Sequence, residues 1–173
     1  MTGVGELSNH VYLIDFGCAQ LFRNPSTRQH VPLQSGLKTV GTIAFASMNS
    51  HLGHTQSRRD DLESLVYTIV YLCRGCLPWQ SIEGDSIEQY EVAVLEMKTA
   101  SAKTLCQGLP SPFIAFAQYV HSLGFGDKPQ YDYLRTLLTQ CSAHDSNAVV
   151  SKLVTTPPSP SKLIPSLPRG GRV

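Results

Sequence analysis

The sequence predicts a mainly α-helical protein built around one hydrophobic core. Two observations carry this prediction: four stretches repeat apolar residues at helical spacing, and only Val11 to Ile14 has the composition of a short strand. A chain of 173 residues, 42% hydrophobic and 16% charged, is long enough to bury one core. We therefore expect four or five helices, one short strand region and a long irregular segment.

The central element is a predicted helix from Leu62 to Cys73, in which only three residues are neither apolar nor aromatic. Because such a helix is apolar almost all round, we expect it to be buried on every side. Asp60 and Glu63 predict a capping pair at its start, while Gly75 and Pro78 mark its exit. The stretch is too short and too interrupted to span a membrane.

Three further helices are predicted by the same spacing. Ser86 followed by Gln89 is typical of a capping box that begins the first, and Ser111-Pro112 begins the second. The expected apolar faces of the three helices are Ile87, Tyr90, Val94 and Met97; Phe113, Phe116, Ala117 and Val120; and Leu134, Leu137, Leu138 and Cys141.

The periodic pattern fades beyond Ser142, and Thr155 to Val173 is rich in proline, serine and glycine. Such a composition does not bury enough apolar surface to offset the entropy of ordering the chain. We therefore expect residues 1–142 to form one folded domain and residues 143–173 to form a disordered tail.

Charge and targeting signals narrow the functional classes. A formal net charge of +1 without a long basic run argues against a nucleic-acid surface. The first ten residues lack a secretory signal, and no stretch suits a membrane span, so we expect neither export nor a membrane partner. Five irregularly spaced cysteines favour reduced thiols in the cytoplasm or nucleus.

Two pairs of residues are candidates for a metal-binding or redox site. Cys73 and Cys76 have no second pair nearby, so we interpret both as small core residues. His51 and His54 are three residues apart without a neighbouring cysteine or carboxylate cluster, so we expect no metal site there.

The triplet Asp15-Phe16-Gly17 follows the predicted strand. A carboxylate at a strand end beside a flexible glycine can reach a metal ion and its phosphate ligands. The alternative is an ordinary turn aspartate, and the triplet alone does not decide between them. The roughly thirty residues that follow, Cys18 to Met48, have little periodicity, and a loop of this length in a compact domain is usually functional.

Five sequence blocks follow one another in an order that is not generic. They are Asp15-Phe16-Gly17; Gly41-Thr42 leading into residues 45–53 (FASMNSHLG); residues 56–65 (QSRRDDLESL); residues 77–80 (LPWQ); and residues 127–135 (DKPQYDYLR). Together they closely resemble the C-terminal lobe of casein kinase I family serine/threonine protein kinases. The resemblance covers about residues 3 to 141 and implies a protein-kinase-like C-terminal lobe with the N-terminal lobe absent.

The resemblance implies roles for five residues. Asp15 matches the aspartate that ligates Mg²⁺ against the nucleotide phosphates. Thr42 matches the threonine that helps place the substrate hydroxyl, and Asp61 matches the aspartate that anchors the catalytic-loop backbone. Arg58 and Arg59 match arginines near the substrate groove, one of which is associated with a pocket for acidic or phosphorylated substrates. The alternative for the two arginines is solvated charge at a helix start.

Several parts of a kinase are missing from the 173 residues. They contain no glycine-rich phosphate loop, no Val-Ala-Ile-Lys-type lysine and no His-Arg-Asp catalytic loop. Mg-ATP is the cofactor of the family, but we do not expect this chain alone to bind it, since phosphoryl transfer needs the whole cradle. Apolar surface that normally packs against the catalytic loop would meet water, so we expect a marginal or partner-dependent fold.

The sequence therefore predicts a fragment or truncated paralogue of a casein kinase I-like serine/threonine kinase, inactive as given, from a truncated gene model or a decayed gene copy. The alternative is a non-catalytic, pseudokinase-type interaction module that serves as a binding surface or decoy. Expected partners are protein substrates or partner proteins, in the cytoplasm or nucleus. The sequence leaves the oligomeric state open.

Overall fold

The computed structural model describes residues 4–8, 10–82, 86–99 and 102–144. Within these ranges the chain is mainly α-helical and has no β-strand, which confirms the predicted class at that level. The predicted tail lies outside the described residues from position 145 onward. The helices are α1 (Met48–His51), α2 (Arg58–Arg74), α3 (Ile87–Lys98), α4 (Ala102–Leu105), α5 (Ser111–Ser122) and α6 (Tyr131–His144).

Helix α2 begins and ends at residues that suit its termini. Ser57 is the N-cap, and its backbone N–H donates to the Asp60 carboxylate at 2.7 Å. Gly75 adopts a left-handed conformation with φ of 78° at the C-cap, which glycine does without a steric penalty. The predicted capping pair is therefore half right, since Asp60 caps the helix whereas Glu63 bonds elsewhere.

The expectation that α2 is buried on every side is wrong. Its buried residues, Asp60, Glu63, Val66, Tyr67 and Val70, lie on one face. On the other side, Leu65 is 39% exposed and Leu72 is 60% exposed. Cys73 and Cys76 are also exposed, so our interpretation of them as core residues is wrong. This side of α2 is therefore turned to solvent at these positions.

Helices α5 and α6 agree well with the sequence patterns, and α3 agrees with them in part. Ser86 caps α3 by accepting a hydrogen bond from the Gln89 N–H at 3.2 Å, as predicted. The four residues of the α5 face are all buried, and Leu134 and Leu137 of α6 are buried against them. Helix α5 packs against α2, α4 and α6, so these helices enclose the core.

Two residues of α3 depart from its predicted face, and the first of them, Ile87, is 50% exposed. Met97 is 39% exposed, whereas its neighbour Lys98 is only 2% exposed. The face of the helix turned to the core therefore continues from Val94 to a lysine rather than to the methionine. A buried lysine needs partners for its charge, and these are described below.

The predicted buried strand is absent. Val11, Leu13 and Ile14 are 78%, 83% and 56% exposed, and the residues after Val11 make no ladder in the described part of the chain. The physical reason is that a strand needs a neighbouring strand to form a ladder of backbone hydrogen bonds, and no residue in the described ranges belongs to a β-strand. The stretch from Val11 to Ile14 is thus an exposed apolar segment.

The long segment between residues 19 and 46 is irregular, as predicted, with a single bridge between Arg23 and His30. Its C-terminal part is tied to the helices. The indole N–H of Trp79 donates to the Ala44 carbonyl at 2.8 Å, and Trp79 packs edge-on against Tyr67 with ring centroids 5.1 Å apart. No helix in the described ranges has the length and apolar character needed to cross a bilayer.

Candidate functional site

The buried carboxylate of Asp60 joins the loop before α1 to the start of α2. Besides the hydrogen bond from the backbone N–H of Ser57, the carboxylate accepts hydrogen bonds from the Ser47 hydroxyl at 2.8 Å and from the Asn49 side-chain amide at 3.1 Å. Ser47 also caps α1 by accepting from the Ser50 N–H at 3.1 Å. Asp60 is 1% exposed, and its carboxylate is stabilised by three hydrogen bonds and by the Nε of Arg59 at 3.6 Å.

Glu63 provides a second buried link between the same two segments. One oxygen of its carboxylate accepts from the Met48 N–H at 2.9 Å and from the Tyr67 hydroxyl at 2.5 Å. Burial, followed by the charge of Glu63 and its hydrogen bond, raises the pKa of Tyr67. Together Asp60 and Glu63 fix α1 against the N-terminal half of α2.

Lys98 extends this polar layer to α3. Its ammonium group donates to the backbone carbonyls of Ile43 at 2.8 Å and Ala46 at 2.7 Å, and lies 3.0 Å from Nε2 of His51. Nδ1 of His51 is 3.2 Å from the carboxylate of Glu91. The hydroxyl of Thr39 also donates to Glu91.

Aromatic faces complete the surroundings of Lys98. Its ammonium nitrogen lies 4.8 Å from the ring centroid of Tyr67 and 5.2 Å from that of Trp79. Such contacts stabilise a desolvated cation by about 2 kcal/mol. Burial nevertheless lowers the pKa of Lys98 to about 7, while the charges of Glu63 and Glu91 act in the opposite direction.

Asp15, the expected magnesium ligand, is an exposed turn residue in this structure. It has a left-handed conformation with φ of 60°, and its carboxylate accepts from the N–H of Gly17 at 3.3 Å. In the described part of the chain, no hydrogen bond or ion pair joins it to Thr42, Asp61, Arg58 or Arg59.

Thr42 and Asp61 are also at the surface. The carbonyl of Thr42 accepts from the N–H groups of Phe45 at 2.8 Å and Ala46 at 2.9 Å, which makes a tight turn beside the Lys98 cluster. Asp61 is exposed in the first turn of α2. Partial desolvation of its carboxyl, and then the charge of Asp60, raise the pKa of Asp61.

Arg58 and Arg59 pack against two phenylalanine rings. The guanidinium carbon of Arg58 lies 4.5 Å from the ring centroid of Phe22, and its Nη2 donates to the Gly126 carbonyl at 3.0 Å. The guanidinium carbon of Arg59 lies 5.7 Å from the Phe125 ring centroid, and its Nε is 3.6 Å from Asp60. Both arginines therefore pack against aromatic rings. The sequence alone indicated only a role in substrate binding or solvated charge at a helix start.

The residues present do not fit a complete Mg-ATP site. No group of three or more histidine, cysteine, aspartate or glutamate side chains that could hold a metal ion occurs among the residues that the structure describes. Asp15 is a single carboxylate, and a magnesium ion between phosphates needs further ligands held in octahedral geometry. No step of a reaction can be assigned to these residues alone.

Sequence reasoning missed the buried polar layer of Lys98, His51 and Glu91. One signal was available: Lys98 follows Val94 by four residues, which places it on the same helical face. His51 was weighed only as a metal ligand, because its partner Glu91 is 40 residues away in the sequence. A scan against models of known protein families found none that matches this chain.

Proposed function

We propose that residues 3–141 are the C-terminal lobe of a casein kinase I-like serine/threonine protein kinase, and that this chain does not transfer phosphate by itself. The parent reaction is transfer of the ATP γ-phosphate to a serine or threonine hydroxyl of a protein. Asp15 would contribute to Mg²⁺ binding only beside groups that these 173 residues do not contain. The proposed location is the cytoplasm or nucleus.

One observation supports the proposal most. The two sequence blocks that carry the resemblance best, residues 45–53 and 56–65, are joined by buried hydrogen bonds from Ser47 and Asn49 to Asp60 and from Met48 to Glu63. The two blocks therefore stabilise one another through hydrogen bonds. A chance likeness between two unrelated stretches would not require their polar residues to meet in this way.

Activity of the chain alone is tested with Mg-ATP and casein. We expect no phosphate transfer above a blank without protein, since the base and most of the nucleotide contacts are lacking. The Asp15→Ala variant is the control for contamination, because a contaminating kinase would be equally active in both preparations. Turnover that the wild-type chain shows and Asp15→Ala lacks would contradict the predicted inactivity.

A chimaera tests the kinase-lobe assignment itself. The nucleotide-binding lobe and catalytic loop of an active casein kinase I are placed before Gly3, and we expect casein phosphorylation that Asp15→Ala abolishes. Exposed Glu96→Ala on α3 is the matched control and should retain the activity. A chimaera that folds and binds ATP but does not lose activity on Asp15→Ala would contradict the assigned role.

A second candidate function, a non-catalytic decoy for kinase partners, is favoured by the exposed apolar segment. Leu13 and Ile14 are adjacent and are 83% and 56% exposed. Adjacent exposed apolar residues mark an interaction site more often than a single exposed residue does.

An excess of this chain should lower casein phosphorylation by a separate, active casein kinase I, and a Leu13→Asp/Ile14→Asp variant should not. Leu33→Asp, at a residue 55% exposed, is the control. Equal inhibition by all three proteins, or by none, would contradict this candidate.

A further inference from the structure

The buried cluster of Lys98, His51 and Glu91 connects α3 to the loop before α1. Lys98 holds the carbonyls of Ile43 and Ala46, and His51 is the last residue of α1. The side chain of His51 is fully buried, while that of Glu91 is 27% exposed. These residues come from three segments, so a change in any of their charges acts on all three.

The contacts are compatible with one arrangement of protons. If Lys98 donates to Nε2 of His51, that nitrogen has no hydrogen, and Nδ1 carries the hydrogen that points to Glu91. The imidazole is then neutral, and every polar atom of the pair has a partner. A second proton, on Nε2, would leave an imidazolium facing an ammonium group at 3.0 Å, with the Ile43 carbonyl as an acceptor that both cations would share.

We propose that this cluster is an acid-sensitive latch: it holds residues 43–46 against α3 while His51 is neutral, and protonation of His51 releases them. The function proposed above is not needed for this inference, which depends only on the contacts of the cluster. Because the released segment contains the turn of Thr42, the latch would regulate that surface whatever its partner is.

Some groups around the latch raise the pKa of His51, and others lower it. Lys98 disfavours the second proton, while Glu91 favours it through its hydrogen bond and its charge, and a backbone hydrogen bond with Ile43 also favours it. From α2, Glu63 and Tyr67 face Lys98, with the Glu63 carboxylate engaged by the Met48 N–H and the Tyr67 hydroxyl. Burial, the largest cause, and then Lys98 lower the pKa of His51 below its ordinary value of 6.5. Release is therefore expected in mild acid, below neutral pH.

The chain contains its own reporter for this event. Trp79 is its single tryptophan, its indole N–H bonds Ala44, and its ring faces Lys98 at 5.2 Å. Release of residues 43–46 should change both the polarity and the hydrogen bonding around this ring. Tryptophan emission is recorded between pH 6 and 4, below the range in which Lys98 changes its charge, with far-ultraviolet circular dichroism at each point to follow the helices.

We expect a shift of the emission in mild acid while the helical signal is kept. His51→Gln retains an acceptor for Lys98 but takes up no proton in this range, so it should remove the shift. His54→Gln, three residues further on, is the matched control and should leave it unchanged. An emission that stays constant in the wild type, changes only together with the helical signal, or shifts equally in His51→Gln would overturn the proposal.

A second variant keeps the test valid if His51→Gln does not fold. Glu91→Gln removes the carboxylate that favours the imidazolium, so the midpoint of the emission change should move to lower pH. A midpoint that stays where it was, or moves to higher pH, would contradict the assigned role of Glu91. Lys103→Gln, at an exposed lysine of α4, is the control for a general change of charge.

Discussion

Asp60 and Asp61 are adjacent carboxylates with opposite surroundings. Asp60 is buried and accepts hydrogen bonds from Ser57, Ser47 and Asn49, whereas Asp61 is exposed. The resemblance to kinases gives Asp61 the functional role and gives Asp60 none. In this chain, however, the carboxylate that organises the surrounding structure is that of Asp60.

We predict that Asp60→Ala lowers the free energy of unfolding by about 3 kcal/mol or more. The substitution leaves three donors without an acceptor, and hydrogen bonds to charged groups contribute about 1.5–3 kcal/mol each. Asp61→Ala is the matched control, with an expected change within about 0.5 kcal/mol. Urea unfolding followed by circular dichroism measures both, and equal effects of the two substitutions would contradict this assignment.

At the level of elements, two glycines are required by the backbone for different reasons. Gly75 ends α2 with φ of 78° and open space around an added Cβ. Gly53, just after α1, has φ of 68°, and its Cβ would lie 2.6 Å from the carbonyl oxygen of Leu37. The Gly53 carbonyl also accepts from the Leu37 N–H at 2.9 Å, so this glycine fastens the long loop to α1.

The alanine substitutions should therefore rank by backbone cost. Gly75→Ala is expected to destabilise by about 1 kcal/mol from the left-handed conformation alone. Gly53→Ala adds a backbone clash and should cost about 3 kcal/mol. Gly126→Ala has neither problem, and its effect on the denaturation midpoint should be small. Any other order of the three midpoints would contradict the role given to Gly53.

Predictability from the sequence differs among the elements. The periodic faces of α5 and α6 were predicted correctly because their apolar residues meet one another within one core. The strand at Val11 to Ile14 was predicted wrongly because its composition suits a strand, whereas a strand also needs a second strand beside it, and the described residues form none. For α2 the sequence gives the helix but not which side is covered, since that depends on the packing of other segments.

The candidate site was less predictable than the fold. The predicted residues Asp15, Thr42 and Asp61 came from likeness to a family, and the structure leaves them at the surface. The buried contacts that tie the segments together, such as Lys98 to Ile43, join residues 55 positions apart. Local spacing does not reveal such pairs, although a lysine on an apolar helical face is a signal to look for one.

For the whole molecule, the pH dependence of stability should include a contribution from Lys98. Its pKa is about 7 in the folded protein against 10.5 as the ordinary value, so the unfolded chain binds more protons between these limits. The free energy of unfolding should therefore rise with pH in this range, by up to about 1.4 kcal/mol per pH unit. Below about pH 7 both states are protonated and this contribution stays constant.

The measurement compares wild type with Lys98→Met between pH 7.5 and 9.5. Lys98→Met removes the titrating group, so the difference in the free energy of unfolding between the two proteins should change with pH. Lys103→Met should run parallel to wild type, because Lys103 is exposed. A difference that is constant with pH for Lys98→Met would contradict the lowered pKa of this lysine.

The exposed stretch from Val11 to Ile14 affects how long such a chain would survive in a cell. Exposed apolar side chains of this kind are what chaperones bind, and exposed chain is what proteases reach first. A companion polypeptide that covered it would protect the chain from both fates. The steady-state abundance of the protein would then follow the supply of that companion rather than its own rate of synthesis.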